Sequence, residues 1–128
     1  MKRKVLIVVS NYYEDIANAL LASTKKFLNK KITLNIIKVP GVFEIPIIIS
    51  KNVNKFDGFV AIGCVIKGKT AHFDLISKSV IDAIMNLSID SKKPVGNCIL
   101  TCFNYKQALA RKNKGKEAAI ALNSILYK

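Results

Sequence analysis

The sequence predicts an α/β fold, a four-stranded parallel sheet with helices on both faces. Three observations predict it. Four short runs rich in Val, Ile and Leu recur along the chain, and segments with apolar residues three and four apart separate them. No repeat, linker or low-complexity tract interrupts the series.

The first run, Lys4 to Val9 (KVLIVV), is continuously apolar after its lysine, as a strand buried on both faces requires. Ile16, Leu20, Leu21, Phe27 and Leu28 then follow Glu14-Asp15 at helical spacing. Ile32 to Val39 (ITLNIIKV) is the second strand, and the stretch Phe43 to Val53 after Pro40-Gly41 is a second helix. Gly58 to Ile66 is the third strand. A helix starting at about Ala71 carries Phe73, Ile76, Val80, Ile81, Ile84 and Leu87 on one side. Val95 to Cys102 is the fourth strand. After it, Asn104-x-x-Gln107 resembles an N-cap with its reciprocal partner, opening a helix through Arg111, and Lys114 to Leu126 forms the last helix. The order is β-α-β-α-β-α-β-α-α. Right-handed crossovers make such a sheet parallel and gather functional groups at the carboxyl ends of its strands.

Residues 1–128 suit a single domain, large enough to bury roughly two-thirds of the surface of the unfolded chain. The longest apolar stretches, such as Pro46 to Ile49 and Phe59 to Ile66, fall short of the roughly 18 residues of a membrane span. Met1-Lys2-Arg3-Lys4 precedes too short an apolar run for a signal peptide, so the expectation is a cytoplasmic protein. Cys64, Cys98 and Cys102 form no CxxC pair and read as buried thiols, and with one histidine they offer no zinc spacing; no metal is expected. The formal charge of +13 raises nucleic acid as a partner. Nineteen of the 21 basic residues are Lys, however, and they are spread along the chain beside abundant Ile and Asn. Phosphate and groove readers lean on Arg, so the lysines read as solvated faces and neither nucleic acid nor membrane is expected.

Four strand ends then matter: Ser10 to Asp15, Pro40 to Pro46, Gly63 to Phe73, and Thr101 to Arg111. The third is the richest. Gly68 permits close backbone approach, Lys69 and Thr70 supply donors, and the following helix turns its unpaired amides towards any anion there, phosphate above all. His72, the only histidine, lies in the first turn of that helix, where it suits either proton transfer or a structural role. Arg111, a rare Arg in a Lys-rich chain, suits bidentate binding of phosphate or carboxylate as well as an ordinary helix surface. Glu44 is placed to receive hydroxyl or amine donors, or simply to favour the start of its helix. Tyr12, Tyr13 and Phe43 offer flat faces for a heterocycle, or for the core.

Gly63 to Thr70 also satisfies the G-x-x-x-x-G-K-[ST] pattern of a nucleotide-binding phosphate loop. The match is a decoy. Cys64-Val65-Ile66 continues a strand where that loop would already have turned, and Val95 to Cys102 holds no acid to carry magnesium.

Taken together, Val39-Pro-Gly-Val-Phe-Glu-Ile-Pro46, Gly63 to Asp74, Leu100-Thr101 with Gln107-Ala108 and Arg111, and Asn113-Lys114-Gly115 resemble the lumazine synthases of riboflavin biosynthesis. The likeness runs from about Lys4 to the C-terminus. It implies a flavodoxin-like three-layer αβα sandwich with sheet order 2-1-3-4, assembled at least into a pentamer with active sites between subunits. It implies a transferase that condenses 5-amino-6-ribitylaminouracil with 3,4-dihydroxy-2-butanone 4-phosphate to 6,7-dimethyl-8-ribityllumazine, without cofactor or metal. Carried over by position, Tyr12 stacks on the pyrimidine, Val42, Phe43 and Glu44 hold the ribityl chain and ring, and Cys64, Val65 and Ile66 line the pyrimidine site. Lys69 and Thr70, supported by Gly68, bind the phosphate of the four-carbon substrate; the neighbouring subunit's copy of Arg111 binds it from the other side, near Lys114 and Glu117. His72 moves protons.

Some positions depart from that family. Asn97 stands where the family usually has an aromatic reaching the pyrimidine of the next subunit, so stacking there is weaker. Tyr12 replaces Phe or Trp and keeps the ring; Asn11 and Tyr13 differ from the usual neighbours; Lys69 adds charge beside the phosphate. The chain starts almost directly at its first strand, and only two residues separate Arg111 from Lys114 where the family has more. This favours a free pentamer over a sixty-subunit shell. The rival functions are a phosphate-loop nucleotide binder and a catalytically idle module that carries a flavin or lumazine or binds nucleic acid.

Overall fold

The computed structural model describes residues 2–128. Its elements are β1 (Arg3–Ser10), α1 (Glu14–Phe27), β2 (Ile32–Val39), α2 (Ile45–Asn52), β3 (Gly58–Ile66), α3 (His72–Ser91), β4 (Val95–Cys102), α4 (Tyr105–Ala110) and α5 (Gly115–Leu126). The strands form one parallel sheet in the order β2-β1-β3-β4, as the resemblance implies. Strands β2, β3 and β4 keep the bounds that their apolar runs predict, and β1 is one residue longer at each end. Central β1 and β3 are the most apolar, because both of their faces must be covered.

Alternation along the strands divides the core. Val5, Ile7, Val9, Val60, Ile62 and Leu100 face α1 and α5, where Ile16, Leu20, Ala119 and Leu122 meet them. Leu6, Val8, Phe59, Ala61 and Ile99 face α2 and α3, where Ile45, Ile49, Val80 and Ile84 meet them. Gly115 allows the first pair of helices to close: a side chain there would run into the Leu20 carbonyl and the hydroxyls of Ser23 and Thr24. Among the described residues, no helix is long and apolar enough to cross a membrane.

Three details differ from the sequence expectation. The segment predicted as one helix from Phe43 opens instead as a single 3-10 turn, Val42–Glu44, and only then becomes α2, with Pro46 in its first turn where a missing amide hydrogen is harmless. Helix α3 runs four residues past Leu87 and ends at Lys92, whose left-handed backbone (φ 59°) stops it without a glycine. Asn104 does cap α4, its Oδ1 accepting from Gln107 N–H at 2.9 Å, but in return Gln107 Oε1 accepts from the amide of Phe103 rather than from that of Asn104.

Candidate active site

Because β1 lies between β2 and β3, the chain leaves the carboxyl ends of β1 and β3 for opposite sides of the sheet. A crevice opens at such a switch point, the usual place for a ligand in this class of sheet. A cavity of about 470 Å³ occupies it. Ser10 ends β1 at its wall, Cys64, Val65 and Ile66 end β3, Gly41, Val42 and Phe43 come from the segment after β2, Tyr12 and Tyr13 from the turn into α1, and His72 and Ile76 from α3.

The walls are mostly apolar and the mouth is aromatic. Tyr12 is 73% exposed although its ring meets Tyr13 edge-on at 5.0 Å, and Phe43 is 62% exposed. Flat faces left uncovered beside a cavity suit a planar ligand. Gly63 keeps the floor open: a Cβ there would stand 2.5 Å from Val42 Cγ1 and 3.3 Å from Ser10 Cβ. Gly41 likewise gives room to Glu44, whose Oε1 would lie 3.1 Å from a Cβ at that position. Glu44 thus sits beside the rim of the cavity without lining it.

His72 is the first residue of α3, on the cavity edge and exposed, and its backbone amide donates to Thr70 Oγ1 at 3.3 Å. Gly68, Lys69 and Thr70 form the exposed turn between β3 and that helix. They adjoin the cavity through His72 and leave their polar groups to solvent, as a site for a charged group entering from outside needs.

The thiols of Cys64 and Cys98 are poor nucleophiles. Burial, then the neighbouring Cys102, pushes the Cys64 thiol up to about 12. Burial likewise pushes Cys98 up to about 12, with a Thr24 hydrogen bond opposing. Tyr13 is also raised, first by burial, then by Tyr12 and Cys64. At neutral pH, Cys64 therefore offers the cavity shape and backbone rather than a thiolate.

Tyr12, Val42, Phe43, Cys64, Val65, Ile66 and His72, predicted from separate stretches of sequence, meet on this one cavity. Glu44 and the Gly68-Lys69-Thr70 turn stand beside it, and the other four predicted residues lie outside it. Asn97 sits early on edge strand β4, paired with Ala61, three residues short of Cys64 along the sheet, and its Oδ1 accepts from Ile99 N–H at 3.0 Å. Arg111 follows α4 and is exposed; Lys114 and Glu117 pair across the start of α5 at 3.3 Å. Tyr13, read from sequence as a flat face for a heterocycle or for the core, also lines the cavity, as do Ser10, Gly41 and Ile76, to which sequence reasoning gave no role. Ile76 was within reach of it, since it follows His72 by one helical turn. Ser10 is a polar residue closing an otherwise apolar strand, the one local sign of its position.

The model of the family described as 6,7-dimethyl-8-ribityllumazine synthase matches residues 2–127, nearly the whole chain. The chain belongs to that family. It is 41% identical to the 6,7-dimethyl-8-ribityllumazine synthase of Agrobacterium fabrum over 133 aligned positions, covering 94% of this chain and 90% of that one. It is 43% identical to the Bartonella henselae protein of the same name, covering 94% and 84%, and 40% identical to that of Methylorubrum populi, covering 96% and 80%. Membership in the lumazine synthase family also accounts for the phosphate-loop pattern: Gly63 is the middle of β3, hydrogen-bonded in register with Ile99, and makes no loop at all.

Proposed function

We propose that the chain is a lumazine synthase acting in riboflavin biosynthesis, a transferase that condenses 5-amino-6-(D-ribitylamino)uracil with 3,4-dihydroxy-2-butanone 4-phosphate and releases 6,7-dimethyl-8-ribityllumazine, phosphate and water. The observation that carries this reading is the convergence of Tyr12, Val42, Phe43, Cys64, Val65, Ile66 and His72 on one cavity at the β1/β3 crevice. Its volume suits a bicyclic product with a short polyol chain.

In this reading Tyr12 and Phe43 cover the faces of the pyrimidine, the ends of β3 line its edge, and Glu44 receives donors at the rim. Lys69 and Thr70 hold the phosphate. The amine of one substrate attacks the ketone of the other, water leaves as an imine forms, phosphate is eliminated, and the ribitylamino nitrogen closes the ring on the remaining carbonyl with loss of a second water. His72 takes and returns protons in these steps, from an exposed position at the edge of the cavity. Most of the rate comes from holding two reactants together, an effect that reaches on the order of 7–11 kcal/mol in well-oriented pairs.

Arg111, Lys114, Glu117 and Asn97 act in a neighbour's site, and the assembly is a homopentamer rather than a sixty-subunit shell. Two observations support an assembly. None of these four side chains lines the cavity of its own subunit. The α2/α3 layer also exposes Ile47, Leu75, Met85 and Ile89, large apolar side chains of the kind that subunit contacts cover. The spacing of two residues between Arg111 and Lys114 shortens the turn before α5 and favours the smaller assembly.

Mixing the two substrates with purified protein and following the absorbance and fluorescence of the lumazine tests the reaction. Product forming well above the uncatalysed rate is expected. Product at the uncatalysed rate would replace the enzyme with a binding module.

A further inference from the structure

Ser10 ends β1 with its side chain on the same side of the sheet as Leu6 and Val8, facing Val42 and Ile45 rather than solvent. It is 2% exposed, yet its hydroxyl has no hydrogen-bond partner among the described residues. Its surroundings explain why. Gly63 brings only backbone, Val42 and Ile45 bring methyl groups, and the carbonyl of Val39, the register partner of Ser10, is already taken by the amide of Asn11 at 3.2 Å.

A buried hydroxyl without a partner is costly, and an Ala or Val would fill the same place at less expense. At the wall of the cavity the hydroxyl has another possible partner, the bound molecule. A hydroxyl both donates and accepts, so it can pair with a substrate hydroxyl, N–H or carbonyl. A site that leaves a polar group unpaired until the right ligand arrives also rejects ligands that lack the matching group.

We propose that Ser10 is a specificity-determining residue for the pyrimidine substrate, its hydroxyl completing a hydrogen bond with a polar group of that molecule at the wall of the cavity. The proposal rests on the function given above. It selects the pyrimidine over the four-carbon phosphate because Ser10 lies at the sheet, on the inner wall, whereas Lys69 and Thr70 stand at the exposed turn.

Ser10→Ala tests it in steady-state kinetics with each substrate varied in turn. The KM for the pyrimidine is expected to rise about tenfold, the equivalent of one ordinary hydrogen bond, with the KM for the four-carbon phosphate changed less than about twofold. The melting temperature of the free protein is expected to stay level or rise, because the orphaned hydroxyl is gone. Equal KM values in variant and wild type would overturn the proposal while leaving the enzyme reading intact. A lowered melting temperature with both KM values raised alike would also overturn it, since that is the mark of a structural serine. A wild type that forms no product overturns the enzyme reading and this proposal together.

Discussion

The two faces of the sheet are covered in different ways. On one, α1 and α5 press together across Gly115, and Leu20, Ala119 and Leu122 are buried. On the other, the 20 residues of α3 bury only Val80 and Ile84, while Leu75, Met85 and Ile89 face outwards. The cavity opens towards this second layer, with Phe43 and His72 at its edge. The first face closes its two helices on each other, although Ile120 and Ile125 of α5 stay exposed; the second leaves most of α3 outside the core, and the site is built at its edge.

That contrast can be broken most sharply on the first face. Leu122→Ala is expected to destabilise the fold by about 3–4 kcal/mol, and Gly115→Ala by about 3 kcal/mol, because α1 and α5 would have to separate. Urea unfolding measures both, and a loss under about 1 kcal/mol in each would remove the distinction between the layers.

At the edge of the second face the effect should fall on chemistry. His72→Ala is expected to lower turnover about a hundredfold, near 2.7 kcal/mol in the barrier, with folding unchanged because the side chain is exposed. Turnover equal to that of the wild type would take His72 out of the reaction. Gly63→Ala, at the floor between the layers, should cost about 2 kcal/mol in stability and shrink the cavity, read as a weakened KM for the pyrimidine alongside a lower urea midpoint.

A smaller, pH-dependent effect belongs to the thiols. Folded Cys64 and Cys98 hold protons up to about pH 12, whereas unfolded thiols give them up from about pH 9. The folded state therefore binds more protons in that window, and stability should fall as pH rises through it. Urea midpoints taken between about pH 8 and pH 10.5 should decline less steeply in Cys64→Ala. The smallest effect on folding is expected from Met85→Ser with Ile89→Ser, within about 0.5 kcal/mol for the subunit, while the assembly seen by native mass spectrometry falls apart. An intact assembly would place the contact elsewhere.

Much of this was legible in the residues. Strands β2, β3 and β4 keep the bounds of their β-branched runs; for central β3 this is because a strand buried on both faces has no place for a polar residue until it emerges. The turn Gly68-Lys69-Thr70 and His72 after it could be read together because they adjoin in sequence and the helix start orients them. Glu44 was harder: its neighbourhood depends on a 3-10 turn in place of a helix, a choice made by Pro46 and by the packing of Val42 against Gly63. Asn97 and Arg111 could be assigned to a neighbour only through the resemblance, since no periodicity records which subunit a side chain serves.

The sequence alone determined the order of strands and helices and which residues leave water, because periodicity encodes how far each position must be buried. It carried the local chemistry of His72 and Thr70 for the same reason, proximity along the chain. That β1 lies beside β3 came from the resemblance and not from periodicity, and only the tertiary structure decided that Ser10 and Cys64 face one cavity from two strands and that α3 is left half uncovered. Apolar pattern states that a surface is to be covered; the partner that covers it is chosen by packing among elements distant in sequence.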